Sequence, residues 1–124
     1  MANWQRGSLF LKGTKDKLAN VLFNIMREEV SMHGFDLPGV PGAYVDSDIK
    51  MDFDDSAKVD GDSYIYKTYL SNRGGVEVDD YVRFANTWGV DVYVNVADLW
   101  AGIELELLIQ NGVVSKCEVE EIER

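Results

Sequence analysis

Hydrophobic positions along this chain follow two spacings, and each spacing predicts a different kind of element. Apolar residues at three- and four-residue intervals predict helices, whereas apolar residues that alternate with polar ones predict half-buried strands. The alternating segments are Ser8–Lys12, Ile49–Phe53, Ser63–Leu70, Val90–Val96, Ile103–Ile109 and Val113–Glu121, and the helical segments are Lys15–Met32 and Val78–Trp88.

The order of these elements predicts the fold class. The first six run strand, helix, strand, strand, helix, strand, which is the βαββαβ pattern of a ferredoxin-like sandwich. The last two strands, joined at Asn111-Gly112, form an added C-terminal β-hairpin. We therefore predict one α+β domain over residues 1–124, a ferredoxin-like sandwich whose extra hairpin extends the sheet or pairs two subunits.

Single residues mark several of the predicted ends. Thr14 is placed to cap the first helix at its N-terminus. Gly89 is placed to end the second helix, since glycine readily adopts the left-handed conformation there. Both prolines fall within Phe35–Tyr44, which predicts a loop between the first helix and the next strand.

The turn of the C-terminal hairpin sets which residues share a face. A two-residue turn would set Leu107 opposite Lys116, whereas a three-residue turn over 110–112 sets Leu107 opposite Ser115. The longer turn also places Leu105 opposite Cys117. Because a slip of one residue exchanges the two faces of a strand, we predict the three-residue turn.

The composition is that of a globular chain and excludes several classes of protein. Of the 124 residues, 46% are hydrophobic, and a single cysteine excludes an internal disulfide. The sequence shows neither a signal peptide nor an apolar run long enough to span a membrane. We therefore expect a cytoplasmic protein without a membrane partner.

Charge narrows the choice of partner. The chain has 12 basic and 22 acidic residues, which give a formal net charge of −10. Such a charge repels phosphate backbones and anionic lipid headgroups. We therefore expect the partner to be a basic protein surface, and we expect no direct binding of nucleic acid.

Aspartates concentrate in the segment 46–62, which contains seven of them. Alternate residues of a strand share a face, so an evenly stepped row of carboxylates is expected on its solvent side. One interpretation is the solvated face of an acidic protein. The other is a surface that imitates a polyanion and docks into a basic groove. Its contacts would be Asp48, Asp52, Asp54, Asp55, Asp60 and Asp62, with Glu104, Glu106, Glu118, Glu120, Glu121 and Glu123 as further acidic rows.

The same segment supports a second hypothesis, a divalent-metal site at the turn Asp54–Asp62. Carboxylate oxygens are the ligands that Ca²⁺ and Mg²⁺ prefer, and Asp54, Asp55, Asp60 and Asp62 flank this turn. None of the Asp-x-Asp pairs continues into an EF-hand loop. The leading hypothesis therefore includes no metal and no other cofactor.

Three aromatic residues are candidate partner contacts. Tyr64 and Tyr66 share one face of a predicted strand, and we expect that face to be the open side of the sheet. The RNP1 pattern of RNA-binding sheets is absent, so a protein contact is the better interpretation. Trp100 lies in a loop, where it is either an exposed interface anchor or a cap over the core.

The chain shows no catalytic motif. His33 is the one histidine and Cys117 the one cysteine, and we expect the thiol to face the core as a buried, inert group. There is no Ser-His-Asp set, no zinc-ligand spacing and no glycine-rich phosphate loop. We therefore predict that the protein is not an enzyme.

Two stretches of the chain resemble a known family. The opening Met1-Ala2-Asn3-Trp4 is followed by a strand that ends at Gly13 and by a helix, and Trp88-Gly89-Val90-Asp91 leads to a glutamate-rich hairpin. Over about half of its length the chain resembles a family of small phage- and plasmid-borne proteins of unknown function with a ferredoxin-like fold. The resemblance implies a mobile-element origin and action in the cytoplasm of a host cell. It supplies no catalytic residues.

Three functional hypotheses follow. The first is a non-catalytic acidic binding protein of phage or mobile-element type that inhibits a host nucleic-acid-acting defence protein, as anti-CRISPR proteins and DNA mimics do. The second is a divalent-metal-binding protein that uses the turn Asp54–Asp62. The third is a structural module that forms a homodimer through the C-terminal hairpin.

Overall fold

Two helices pack on one face of an antiparallel sheet in the computed structural model, which describes residues 4–27, 30–46 and 58–122. The predicted strand Ile49–Phe53 lies outside the described residues. The elements in chain order are β1 (Trp4–Thr14), α1 (Lys15–Met26), β2 (Phe35–Asp36), β3 (Ala43–Val45), β4 (Lys58–Asp60), β5 (Ser63–Arg73), α2 (Val78–Trp88), β6 (Asp91–Asp98), β7 (Ile103–Gln110) and β8 (Val113–Glu121).

The sheet is not ferredoxin-like, so the predicted fold is wrong. Its strand order is β2-β3-β5-β1-β6-β7-β8, with β4 also pairing with β5. The βαββαβ pattern has two strands between its helices. Here the described residues between α1 and α2 form four strands, β2 to β5, and all of them belong to the one antiparallel sheet. Within it β5 runs antiparallel to β1 along its whole length, from Trp4 opposite Arg73 to Thr14 opposite Ser63. Alternation identified β1 in part and β5 to β8. It missed β2 and β3, so the prediction of a loop over Phe35–Tyr44 is wrong at both of its ends. Strands of two or three residues are too short to show an alternating pattern.

The first helix begins where the sequence predicted and ends earlier. Thr14 Oγ1 accepts a hydrogen bond of 3.3 Å from the backbone N–H of Lys17, which confirms the predicted cap. The helix ends at Met26 rather than near Met32, and Val30 is 54% exposed. A short bridge between Ser31 and Gly34 then turns the chain into β2. The apolar positions that predicted a longer helix therefore extend beyond the residues that pack against the core.

The second helix confirms its predicted bounds. It runs from Val78 to Trp88, with Asp79 and Asp80 in the first turn, where the helix dipole favours acidic groups. Gly89 has a φ of 66°, and its N–H donates to the carbonyl of Ala85 at 2.9 Å. This left-handed residue ends the helix and redirects the chain into β6.

The core lies between the helices and alternate residues of the central strands. Leu9 and Leu11 of β1 are fully buried, as are Val92 and Val94 of β6 and Leu107 of β7. Each such side chain contributes about 1.5–3 kcal/mol through removal of apolar surface from water. The helices supply the other half of this core through Leu18, Val21, Leu22, Ile25, Tyr81, Phe84 and Ala85.

A small polar network is buried at one end of the core. The Tyr81 hydroxyl donates to Asn72 Oδ1 at 2.7 Å, and Asn72 in turn donates to the carbonyl of Gly75. Gln5 Oε1 accepts from the N–H of Val76 at 2.9 Å. Burial raises the pKa of Tyr81 above its ordinary value, with a smaller contribution from Asp80.

The C-terminal hairpin differs in register from the prediction. Its turn is the two-residue Asn111-Gly112, with φ values of 53° and 79°, and Gln110 pairs with Val113. A register shift on β8 then sets Leu107 opposite Cys117. The residue that the prediction placed in a longer turn therefore lies inside β8 as a bulge. A bulge shifts the register by one residue, as a longer turn would, so the apolar residues of β7 and β8 still face the same side of the sheet.

The last strand lies beyond the cover of the helices. Every residue of β8 is exposed, although Cys117 is on the same side of the sheet as the buried Leu107. The prediction of a buried thiol is therefore wrong, since the face was correct but the helices do not cover it. Among the residues that the structure describes, no helix has the length and apolar character needed to cross a membrane.

Candidate functional site

The side of the sheet that the helices leave uncovered is called here the helix-free face. Residues that alternate with the core positions point to this side, because successive side chains of a strand face opposite ways. It carries Trp4, Arg6 and Phe10 of β1, Tyr69 and Arg73 of β5, Tyr93 of β6, Glu104 and Glu106 of β7, and Glu118 and Glu120 of β8.

Four glutamates at one side of this face form what we call the acidic edge. Glu104 lies directly opposite Glu120, and Glu106 lies directly opposite Glu118. The four side chains line a shallow hollow of about 80 Å³. Like charges in directly opposed positions are destabilising in an antiparallel pair. The fold therefore retains two unfavourable pairs side by side.

One lysine partly compensates the acidic edge. Lys116 forms an ion pair with Glu106, and its Nζ lies 3.6 Å from a carboxylate oxygen of Glu118. Tyr93 donates a hydrogen bond to the other oxygen of Glu106. These two donors, Lys116 first, hold the pKa of Glu106 below its ordinary value, and the same carboxylate raises the pKa of Lys116 and of Tyr93.

The other side of the helix-free face contains a concave surface of about 810 Å³ that we call the arginine groove. Its two cationic residues are Arg6 and Arg73, which lie on adjacent strands as diagonal neighbours. Its remaining walls are mostly aromatic or apolar. The lining residues are Trp4, Arg6, His33, Tyr69, Arg73, Ala97, Leu99 and Trp100.

Ring contacts hold one wall of the arginine groove. The rings of Trp4 and His33 lie 4.9 Å apart between centroids, and His33 lies 5.2 Å from Tyr44. The Arg6 guanidinium carbon is 5.1 Å from the centre of the Trp4 ring, within the range of a cation–π contact. Three separate segments of the chain, β1, the 31–34 turn and β3, therefore meet at this wall.

The loop between β6 and β7 presents Trp100 to solvent. Asp98 is buried at 5% exposure, and its Oδ1 accepts from the N–H groups of Trp100 and Ala101 at 3.1 and 3.0 Å. These bonds fix the loop backbone, as in an Asx turn. Trp100 itself is 88% exposed, so it is an exposed residue and not a cap over the core.

The two tyrosines expected on the open side lie on the opposite side. Tyr64 is 9% exposed and belongs to the core, and Tyr66 is partly buried against it. The pairing with β1 sets Tyr66 opposite Leu11, whose side of the sheet the helices cover. The aromatic residues of β5 were assigned to the wrong face because the face depends on the neighbouring strand.

The aspartates of the docking and metal hypotheses are only partly described. Asp48, Asp52, Asp54 and Asp55 lie outside the described residues. Asp60 ends β4, and Asp62 is exposed in the turn before β5. Within residues 4–27, 30–46 and 58–122, no three or more His, Cys, Asp or Glu side chains are grouped so that they could hold a metal ion. Both hypotheses therefore remain predictions for this segment.

Sequence reasoning missed the arginine groove. Trp4 and Arg6 alternate along the chain in the manner of one strand face, but the predicted first strand began only at Ser8. The extension of β1 to Trp4 and its pairing with Arg73 bring the two arginines together. A first strand extended back to residue 4 would have indicated the groove. The two consecutive polar residues at 5 and 6 interrupt the alternation, so the sequence pattern did not predict this extension.

Comparison of the chain with models of protein families, with curated proteins and with solved structures found no match. The resemblance to phage- and plasmid-borne proteins therefore stays a prediction. A function for this protein has to be argued from the geometry of its own surface.

Proposed function

We propose that this protein is a non-catalytic binding protein whose acidic edge docks onto a basic surface of a partner protein. The observation that supports this most directly is the pair of opposed glutamates, Glu104 with Glu120 and Glu106 with Glu118. Like charges directly opposite each other are destabilising in an antiparallel sheet, and Lys116 compensates only the Glu106–Glu118 pair. A surface that reduces folding stability in this way is reasonable where a cationic partner neutralises it.

The partner class that fits best is a nucleic-acid-binding protein. Carboxylates two residues apart on one strand face are spaced by about 6.8 Å, so the acidic edge presents a regular two-row array of negative charge. The net charge of −10 would attract a basic groove and hasten encounter. The resemblance to phage- and plasmid-borne proteins implies a mobile-element origin, and with it we infer an inhibitor of a host defence protein, with the aspartates of 46–62 as further contacts.

Competition with DNA tests this proposal. Purified RNA-guided and restriction nucleases are bound to fluorescent duplex DNA, and the anisotropy is followed as the protein is added. We expect the wild-type chain to displace DNA from at least one nuclease, and displacement to weaken as salt rises. The fourfold variant E104Q/E106Q/E118Q/E120Q should be at least about tenfold weaker, because charged contacts at an interface contribute to both rate and affinity.

A charge-matched control separates the acidic edge from net charge. The variant D16N/D36N/E77Q/D79N also removes four exposed carboxylates, none of them at the acidic edge. It should retain most of the competition. Equal weakening of the two fourfold variants would reduce the effect to net charge, and displacement by neither chain at any salt concentration would remove the proposal. A third variant with Asp48, Asp52, Asp54 and Asp55 changed to Asn measures the contribution of the aspartate segment.

A second candidate function is self-association through β8, and one feature of its sequence favours it. Antiparallel pairing of two copies centred on Cys117 sets Lys116 of each chain opposite Glu118 of the other. It would also cover Val114 and Val119, which are 42% and 59% exposed. Such a contact would be a symmetric, isologous dimer.

Sedimentation over a range of concentrations tests this second function. A dimer should give a mass that rises with concentration, and Lys116→Glu should lower its stability by placing like charges opposite each other. The swapped variant Lys116→Glu/Glu118→Lys should restore association. A constant monomer mass for the wild-type chain would exclude the self-associating module.

A further inference from the structure

We propose that the arginine groove is a binding site for a mononucleotide. Its aromatic side chains would stack on the base, and Arg6 and Arg73 would bind the phosphate. The groove has a volume of about 810 Å³, within the range of about 300–1,000 Å³ typical of small-molecule sites. This site shares no lining residue with the acidic edge, although Glu104 of that edge lies opposite the lining residue Ala97. Its ligand is an anion, so the proposal goes beyond the docking function proposed above.

The local charge of the arginine groove is opposite to that of the whole chain. Two of its eight lining residues are arginines, and none is acidic. Asp98, a buried carboxylate next to the lining residue Leu99, accepts at Oδ1 from the N–H groups of its own loop. Glu104 lies opposite Ala97 on the next strand and does not line the groove. Arginine is well suited to this role, because its planar guanidinium can form two parallel hydrogen bonds to phosphate.

The aromatic walls supply the second half of the recognition. The Trp4 ring contacts the His33 ring at 4.9 Å and the Arg6 guanidinium at 5.1 Å, so both groups lie beside the position where a base would stack. Trp100 and Tyr69 are 88% and 51% exposed in the same groove. Stacking on aromatic side chains and on arginine planes is the way in which proteins hold unpaired bases.

The size of the ligand follows from the surroundings of the groove. The acidic edge lies on the same face of the sheet, and the whole chain has a charge of −10. Each added phosphate of a longer strand therefore meets increasing repulsion outside the two arginines. A single nucleotide brings one phosphate to the two arginines, whereas a longer strand adds phosphates near Glu104, which lies opposite the lining residue Ala97.

Calorimetric titration with defined probes tests the site. The probes are AMP, GMP and UMP, together with adenosine for stacking alone, inorganic pyrophosphate for charge alone, and oligothymidylates of increasing length. We expect at least one mononucleotide to bind at least about tenfold more tightly than adenosine and pyrophosphate, because it uses both parts of the groove. The affinity of oligothymidylates should not rise with length.

Two exposed side chains allow the site to be changed without disturbing the core. Trp100→Ala and Arg73→Gln should each lower nucleotide affinity by about fivefold or more. Lys67→Gln is the matched control, since it removes a positive charge from the same face at a residue that does not line the groove and lies over Phe10. Melting temperatures of all three variants verify that they fold.

Four outcomes would overturn the proposal. They are no heat of binding with any mononucleotide at millimolar concentration, pyrophosphate binding as tight as nucleotide binding, equal loss in Lys67→Gln and Arg73→Gln, and an oligothymidylate affinity that rises steeply with length. The last result would assign the groove to single-stranded nucleic acid instead.

Discussion

The two sides of the helix-free face have opposite chemistry on the same sheet. The arginine groove, on β1 and β5, combines cations with aromatic rings that contact one another, as Trp4 and His33 do at 4.9 Å. The acidic edge, on β7 and β8, combines paired carboxylates with one lysine. Strand β6 lies between β1 and β7, where its Tyr93 contacts the ring of Phe10 at 5.6 Å and its Ala97 lines the groove opposite Glu104. A single sheet therefore offers one surface for anions and another for cations.

This difference shows how far a net charge can be used to exclude a ligand. A formal charge of −10 argues against a long polyanion, because all of the acidic groups act on it together. It does not argue against a small anion, which interacts mainly with groups within about one Debye length, or about 8 Å at physiological salt. Arg6 and Arg73 can therefore determine the electrostatic potential inside the arginine groove although the protein as a whole is acidic.

A substitution that separates β1 from β6 should give the largest loss of stability, and it should affect both the arginine groove and the acidic edge. A Cβ at Gly7 would lie 2.0 Å from the backbone oxygen of Asn95, so Gly7→Ala must push the two strands apart. We expect a loss of at least about 3 kcal/mol in the free energy of unfolding. Urea denaturation followed by circular dichroism measures it.

Another glycine of β1 is the control for this change. A Cβ at Gly13 would meet a methyl carbon of Val90 at 3.2 Å, and a side chain can move where a backbone cannot. Gly13→Ala should therefore cost clearly less than Gly7→Ala. Equal losses from the two variants would show that the close approach of β1 and β6 is not what limits the strand.

The long elements of this fold could be predicted from the sequence, whereas the short strands β2, β3 and β4 and the pairing of the strands could not. Alternation identified β5 and β6 within three residues, and Thr14 and Gly89 marked helix ends, because these signals are local. The antiparallel pairing of β1 with β5 depends on contacts between distant segments. The strand pattern alone contains no record of them.

The two candidate sites also differ in whether the sequence could predict them. The evenly stepped glutamates of β7 and β8 could be recognised in the sequence, because i and i+2 residues of a strand share a face in any fold. The arginine groove could not, since His33, Arg73 and Trp100 meet there only through the sheet order and the 31–34 turn. The prediction of Tyr64 on the open face is wrong for the same reason, since Tyr64 is buried.

Removal of the Tyr81 hydroxyl should lower the stability of the protein by disturbing the buried network next to Arg73. Tyr81→Phe leaves buried Asn72 Oδ1, next to Arg73, without its 2.7 Å partner. We expect a loss of about 1–3 kcal/mol in the free energy of unfolding. The exposed Tyr69→Phe is the control and should change it by less than about 0.5 kcal/mol.

The same tyrosine predicts how stability depends on pH. Burial raises the pKa of Tyr81 above 10.0, so above about pH 10 the unfolded chain releases a proton that the folded chain keeps. The free energy of unfolding of the wild-type protein should therefore fall as the pH rises beyond that value. In Tyr81→Phe this fall should be smaller, and identical slopes for the two proteins would contradict the burial argument.

A substitution in the turn between β7 and β8, the strands of the acidic edge, should lower the free energy of unfolding by a smaller amount than the changes above. Gly112 has a φ of 79°, and an added Cβ would lie 2.2 Å from Asn86 Oδ1 of α2. Gly112→Ala should cost about 1–2 kcal/mol, largely for the left-handed conformation. The double variant with Asn86→Ala removes the contact and leaves the conformational cost, so it separates the two. A full recovery of stability in the double variant would show that the contact alone is responsible.

The smallest expected effect concerns the one lysine of the acidic edge. Lys116 is the main cause of the lowered pKa of Glu106, and Tyr93 is the second. The contribution of this carboxylate to stability is present above its ordinary pKa of 4.5 and is lost as the pH falls through the lowered value. Lys116→Met should therefore raise the pKa of Glu106 part of the way, because the Tyr93 hydrogen bond stays. Carboxyl NMR titration measures this shift, with Lys67→Met as the control.

Whether the pKa of Glu106 rises in Lys116→Met or stays unchanged decides whether repulsion among the glutamates of the acidic edge is significant. If Lys116 compensates the glutamates, its removal leaves four carboxylates at short range, and their repulsion is relieved by protonation. The variant should then gain stability relative to wild type as the pH falls from 7 toward 4.5. An unchanged pKa for Glu106 would mean that water already screens these charges. The opposed glutamates would then reduce stability very little, and the main support for a cationic partner would be lost, whereas the arginine groove would be unaffected.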